Sequence, residues 1–176
     1  MKRHFCVMAL AGTLAMNVPS VLAADGTINF TGVIKEEGCE IDDEDRVLDI
    51  NLGEFSVKEF HSEAGIKSPP TEIIIPLKNC PINELQNPHF TIYLTGDADP
   101  ANKDFLKVTS GGATGVAIVI ADKDKQVIPM NQFTQNSYEL ANTTMDLKLY
   151  AWYQSTSTTI GAGAANGTTD ITFDYR

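Results

Sequence analysis

Met145-Asp146-Leu147-Lys148-Leu149-Tyr150-Ala151-Trp152 sets an apolar residue at every second position: Met145, Leu147, Leu149 and Ala151, with Asp146, Lys148, Tyr150 and Trp152 between them. Successive side chains of an extended chain point to opposite faces, so this period reads as a strand with one buried face, not as a helix of period 3.6. Outward from it the same period recurs. Val116, Ile118 and Ile120 follow Gly115; Phe90, Ile92 and Leu94 alternate with Thr91 and Tyr93; Ile73, Ile75 and Leu77 alternate with Ile74 and Pro76. Leu48, Ile50 and Leu52 alternate with Asp49 and Asn51, and Ile171, Phe173 and Tyr175 close the chain. Ser68-Pro69-Pro70, Gly96-Asp97-Ala98-Asp99-Pro100, Ser110-Gly111-Gly112 and Gly161-Ala162-Gly163 separate the runs; these residue types break strands and form turns. Many short strands with such punctuation predict an all-β sandwich or barrel. One stretch, Val57 to Ala64, has the spacing of a short helix, with Val57, Phe60 and Ala64 on one side.

The amino terminus has a different pattern. Lys2 and Arg3 precede an apolar run from Phe5 to Met16, and Val21-Leu22-Ala23 follows Pro19. A basic start, an apolar run too short to span a bilayer and a small-residue site form a secretory signal. The expectation is a signal over residues 1–23, cut between Ala23 and Ala24. Of the three cysteines, Cys6 leaves with that segment; Cys39 and Cys80 remain as an even pair in an exported chain. Such a pair reads as a disulfide, with Cα atoms about 4.4–6.8 Å apart. The net charge is -10, and the signal removes two cations, so the remainder is more acidic still. A chain of that sign repels phosphate backbones, and no nucleic-acid partner is expected.

Residues 26–34 also alternate, with Ile28, Phe30, Gly32 and Ile34 on one face. Periodicity alone fits two readings: the first strand of the domain's own sheet, or a strand offered to another molecule. Gly32 likewise fits either a simple bulge or a place where a neighbour leaves little room.

Taken together, these pieces resemble the chaperone–usher fimbrial subunits, pilins of the type 1 kind. The start Ala24-Asp25-Gly26-Thr27-Ile28-Asn29-Phe30-Thr31-Gly32-Val33-Ile34 resembles their donor strand. Gly38-Cys39 is similar to the opening of their first domain strand, and Leu48-Asp49-Ile50-Asn51-Leu52-Gly53 to their next strand. Ile73-Ile74-Ile75-Pro76-Leu77-Lys78-Asn79-Cys80 resembles the strand that ends in their second cysteine. The stretch from Ala165 to Arg176, with its penultimate tyrosine, resembles their carboxyl terminus.

The resemblance implies an incomplete immunoglobulin-like β-sandwich over residues 38–176 that lacks its last strand, preceded by a donor extension over 24–37. A hydrophobic groove would lie open between the first strand and the last. A periplasmic chaperone would fill it, and at an outer-membrane usher the next subunit's amino-terminal strand would replace the chaperone. Ile28, Phe30 and Ile34 would plug a neighbour's pockets, with Gly32 at the tight point. Ile171, Phe173 and Tyr175 would line this chain's own groove, and the carboxylate of Arg176 would anchor to basic chaperone residues. The chain would pass through the periplasm to a fimbrium at the cell surface and support adhesion.

Enzymatic and self-contained binding functions compete with that reading. His61 and His89 are the histidines outside the signal, since His4 lies within it, and neither sits in a zinc-protease pattern; no G-x-S-x-G elbow occurs. Asp42-Asp43-Glu44-Asp45 reads as a solvated charge run, and Asp97 and Asp99 lack the remaining ligands of a calcium loop. No catalytic residue, metal or cofactor is expected. The alternatives are a self-contained secreted sandwich that binds without a partner strand, and a periplasmic hydrolase.

Overall fold

The computed structural model describes residue 31, residues 38–82 and residues 88–176. The signal, the cleavage site Ala23–Ala24 and the donor-strand positions Ile28, Phe30, Gly32 and Ile34 lie outside the described residues. Glu36–Arg176 form one compact unit.

Among the described residues seven strands carry the fold: β1 (Thr71–Leu77), β2 (His89–Thr95), β3 (Leu106–Lys107), β4 (Val116–Ala121), β5 (Tyr138–Glu139), β6 (Met145–Ser155) and β7 (Asp170–Tyr175). They form a four-stranded sheet in the order β1-β6-β4-β3 and a three-stranded sheet in the order β5-β2-β7. These strands pair antiparallel throughout. Inward faces of both sheets meet in one core. Ile75, Leu77, Ile118, Leu147 and Leu149 come from the larger sheet; Phe90, Ile92 and Leu94 come from the smaller. Phe90 and Ile92 are completely buried. Fully burying such a side chain contributes about 1.5–3 kcal/mol, so these inward faces hold the sheets together.

The period-two runs at 73–77, 90–94, 116–120, 145–151 and 171–175 all became strands. β4 differs in one respect: its outward residues are buried too. Ala117, Val119 and Ala121 pack with Phe105 and Trp152 in a second, smaller core on the outer face of the sheet. The two-residue strands β3 and β5 are too short to leave a period in the sequence.

Two expectations failed. The run Leu48–Gly53 forms no strand. Its alternation is real, but a strand also needs a ladder, and among the described residues no backbone hydrogen bond joins 46–55 to a distant segment. The helix expected over Val57–Ala64 is a single 3₁₀ turn, Val57–Phe60, capped by Ser56 and Glu59. His61 and Ser62 then take positive φ values of 50° and 52°, which no right-handed helix continues through. Phe60 is buried beneath that turn.

Cys39 and Cys80 are bonded, with Cα atoms 4.1 Å apart, below the expected range. Glu40 and Lys78 exchange backbone hydrogen bonds of 2.7 and 2.9 Å. That exchange draws the two segments into the spacing of neighbouring strands beside the end of β1.

Candidate strand-accepting groove

β7 pairs with β2 on one side and stands at the edge of its sheet among the described residues. Its register sets Tyr175 opposite Phe90, Phe173 opposite Ile92 and Ile171 opposite Leu94. His89 and Arg176 exchange both backbone bonds, 3.1 and 2.8 Å, which makes them a hydrogen-bonded pair. Alternation along an antiparallel ladder then makes Asp174, Thr172 and Asp170 the residues bonded to β2. The backbone N–H and C=O groups of Ile171, Phe173 and Tyr175 therefore point away from β2, toward the free edge.

The side chains of these three residues point inward and are incompletely covered. All three are only partly buried, whereas their partners on β2 are nearly inaccessible. Phe173 meets Phe90 edge-on at 5.2 Å between centroids, and Tyr175 lies 5.6 Å from the same ring. Tyr175 also reaches the start of the domain: a Cβ on Gly38 would lie 3.0 Å from its Cε2. Its hydroxyl is buried beside the Cys39 backbone, without a hydrogen bond of acceptable geometry. Burial pushes this phenol above its ordinary value, and the Cys39 backbone partly offsets the shift.

The segment 38–60 runs past β7 and the loop before it. A cleft of about 560 Å³ lies between Cys39, Ile41, Phe173 and Tyr175. A larger one, of about 790 Å³, lies between Ile50, Leu52 and Phe55 on one wall and Ile160 to Asn166 on the other. Early residues of one segment thus face late residues of the other, so the walls run in opposite directions. On the first wall Ile50 is 38% exposed. A strip of apolar side chains beside an edge strand with unpaired backbone groups is an incomplete core, and it presents a template for one more strand.

The second wall is fixed by backbone. Thr109 N–H donates to the Asn166 carbonyl (2.7 Å), Ala113 N–H to Ala164 (2.8 Å), and Thr114 and Gly161 exchange bonds of 3.0 Å. Gly112 permits that approach, because a Cβ there would meet the Ala164 oxygen at 1.9 Å.

Arg176 turns its guanidinium back to Asp174, 2.9 Å away, and its own carbonyl oxygen accepts the His89 N–H. One of the carboxylate oxygens expected to anchor a chaperone is therefore already engaged inside the sheet. His61 caps the 3₁₀ turn, and His89 stands in β2. Asp99, weighed for calcium, instead organises a turn, its Oδ1 accepting the N–H groups of Ala101 (2.9 Å) and Asn102 (3.1 Å). In the acidic run Asp42 pairs with Lys78, and Asp43 with Arg46 at 3.1 Å. Sequence reasoning missed Phe55 and Tyr153, which line the larger cleft. Tyr153 was detectable, because it lies two residues beyond Ala151 on the same face of the long run.

The sequence profile of the family described as Fimbrial protein matches residues 28–176. The chain belongs to that family. An uncharacterized fimbrial-like protein of Escherichia coli K12, YraH, is 30% identical over 188 residues, covering 96% of each chain. A type-1 fimbrial protein subunit of Serratia marcescens is 26% identical, covering 93% of each. Among solved structures, a type I fimbria protein of Burkholderia pseudomallei superimposes with a TM-score of 0.60 at 28% identity, over 80% of this chain and 90% of that one. The P pilus rod subunit PapA shares the fold, with a TM-score of 0.65 at 19% identity, over 78% of this chain and 99% of that one. The fimbrial protein is thus an all-β, immunoglobulin-like structural pilus subunit of the cell-surface fimbrium.

Proposed function

We propose that this pilus subunit is completed by a strand from a neighbouring subunit and donates its own strand in turn. Residues 1–23 direct export and are removed after Ala23. Residues 24–37 are the donor extension and 38–176 the accepting domain. In the periplasm a chaperone strand covers the groove; at the usher, Ile28, Phe30 and Ile34 of the next subunit replace it, with Gly32 over the narrowest part. The role is structural rather than enzymatic and supports adhesion. The observation that carries this reading is β7: its inward side chains Ile171, Phe173 and Tyr175 are incompletely covered, and their backbone groups face an unpaired edge.

Deleting Tyr175 and Arg176 tests the accepting half. The deletion removes one ring from the groove and the His89–Arg176 exchange at the end of β7. An uncovered groove aggregates or is degraded, so the truncated subunit is expected to lose chaperone co-purification and to fall several-fold in periplasmic abundance. Unchanged abundance and unchanged co-purification would count against the proposal.

A further inference from the structure

Tyr153 continues the inward face of β6 beyond Ala151, and its backbone is fixed there. Its N–H donates to Ser68 Oγ (3.0 Å), and its carbonyl accepts the Ser68 N–H (2.9 Å). From that position the side chain reaches both walls of the larger cleft. Its ring meets Phe55 edge-on, 6.0 Å between centroids at 75°, and its hydroxyl donates to the Ala165 carbonyl at 2.8 Å. The two walls are held unequally. Backbone bonds pin 161–166 to 109–114, while among the described residues 46–55 has no ladder of its own. The first wall is therefore located by side chains, and Phe55 is one that reaches across.

We infer that Tyr153 is a positioning residue of the groove: it ties the loosely held wall at Phe55 to the fixed wall at Ala165 and so sets their separation before a partner strand enters. The inference rests on the proposed strand-accepting function. A groove held at its bound width loses less conformational entropy on filling, and preorganisation of that kind appears mainly as slower dissociation.

The test uses the full mature chain carrying Phe30→Asp, so that its own extension does not compete, refolded with a fluorescent synthetic peptide of residues 24–37. Dissociation is followed after a chase with unlabelled peptide. Tyr153→Phe keeps the ring against Phe55 and removes the part-buried bond to Ala165; it is expected to speed dissociation about tenfold, the scale of one lost hydrogen bond. Phe55→Leu is expected to act in the same direction. Because both changes cut the same link, the double variant is expected to be no faster than the faster single one, a coupling that a general loss of stability does not produce. An unchanged rate in Tyr153→Phe, or single effects that multiply in the double variant, overturns the role of Tyr153. If Tyr153→Phe does not fold, an unchanged rate in Phe55→Leu overturns it equally. If the chain with Tyr153 intact binds no peptide, the strand-accepting function itself fails, and the role of Tyr153 falls with it.

Discussion

Tyr175 fits where it does because Gly38 has no side chain and β7 brings the ring to the start of the domain. Burial raises its phenol, as it does that of Tyr153. A tyrosine whose pKa is higher in the folded state than in the unfolded chain contributes stability that is fully present below the unfolded value, about 10. That contribution is lost as the pH rises through the folded value, because the unfolded chain gives up its protons first. The melting temperature is accordingly expected to be flat from pH 7 to 9 and to fall above pH 10. Tyr175→Phe, which has no proton to lose, is expected to fall less steeply. Thermal melts of the two proteins across that range check this; parallel curves would show that Tyr175 contributes nothing to the alkaline limb. The charged residues tell less. Asp42–Lys78, Asp43–Arg46 and Arg176–Asp174 are exposed pairs, and solvent screening leaves such pairs little weight in stability.

At the scale of elements, the long alternating runs were legible because burial on one face leaves a period in the sequence. β1, β2, β6 and β7 each carry it, and their register follows from which face is apolar. Leu48–Gly53 carries the same period yet has no ladder among the described residues. A strand's own residues specify which face is buried; they do not specify what lies beside it. Periodicity did not reveal the half-buried state of β7, since Ile171, Phe173 and Tyr175 alternate like any inward-facing triplet; the expectation of an open groove there came from the family resemblance alone. The open side emerges only once β2 has been placed on the other. The two readings of residues 26–34 part at this scale. Phe30→Asp, in a strand donated to a neighbour, is expected to leave the melting temperature of the chaperone-bound subunit within about 2 °C and to abolish polymer formation. In a strand that completes the chain's own core, the buried charge would cost several kcal/mol, and the melt would drop by about 10 °C or more. Scanning calorimetry beside an assembly assay separates the two.

At the scale of the whole molecule, the sandwich is a core cut open along one line. One wall of that line is pinned by glycine-permitted backbone contacts, the other is located by side chains, and the Cys39–Cys80 bond holds the start of the domain beside β1. A disulfide closing a loop of this size contributes about 4 kcal/mol in the chain-entropy model. Such a fastening suits a domain whose core is incomplete until assembly. Burying Ile28, Phe30 and Ile34 of an incoming strand would add about 1.5–3 kcal/mol each, enough to make a filled groove far longer-lived than an empty one. On the proposed function, the edge of β7 is vacant in the lone subunit and occupied after strand addition. Residue-resolved amide exchange on the Phe30→Asp chain, with and without the 24–37 peptide, measures this directly. Without peptide, Thr172 and Asp174, bonded to β2, should exchange slowly while Ile171, Phe173 and Tyr175 exchange fast; with peptide, all five should be slow. Equal protection of all five in the lone chain, unchanged by peptide, would contradict the account.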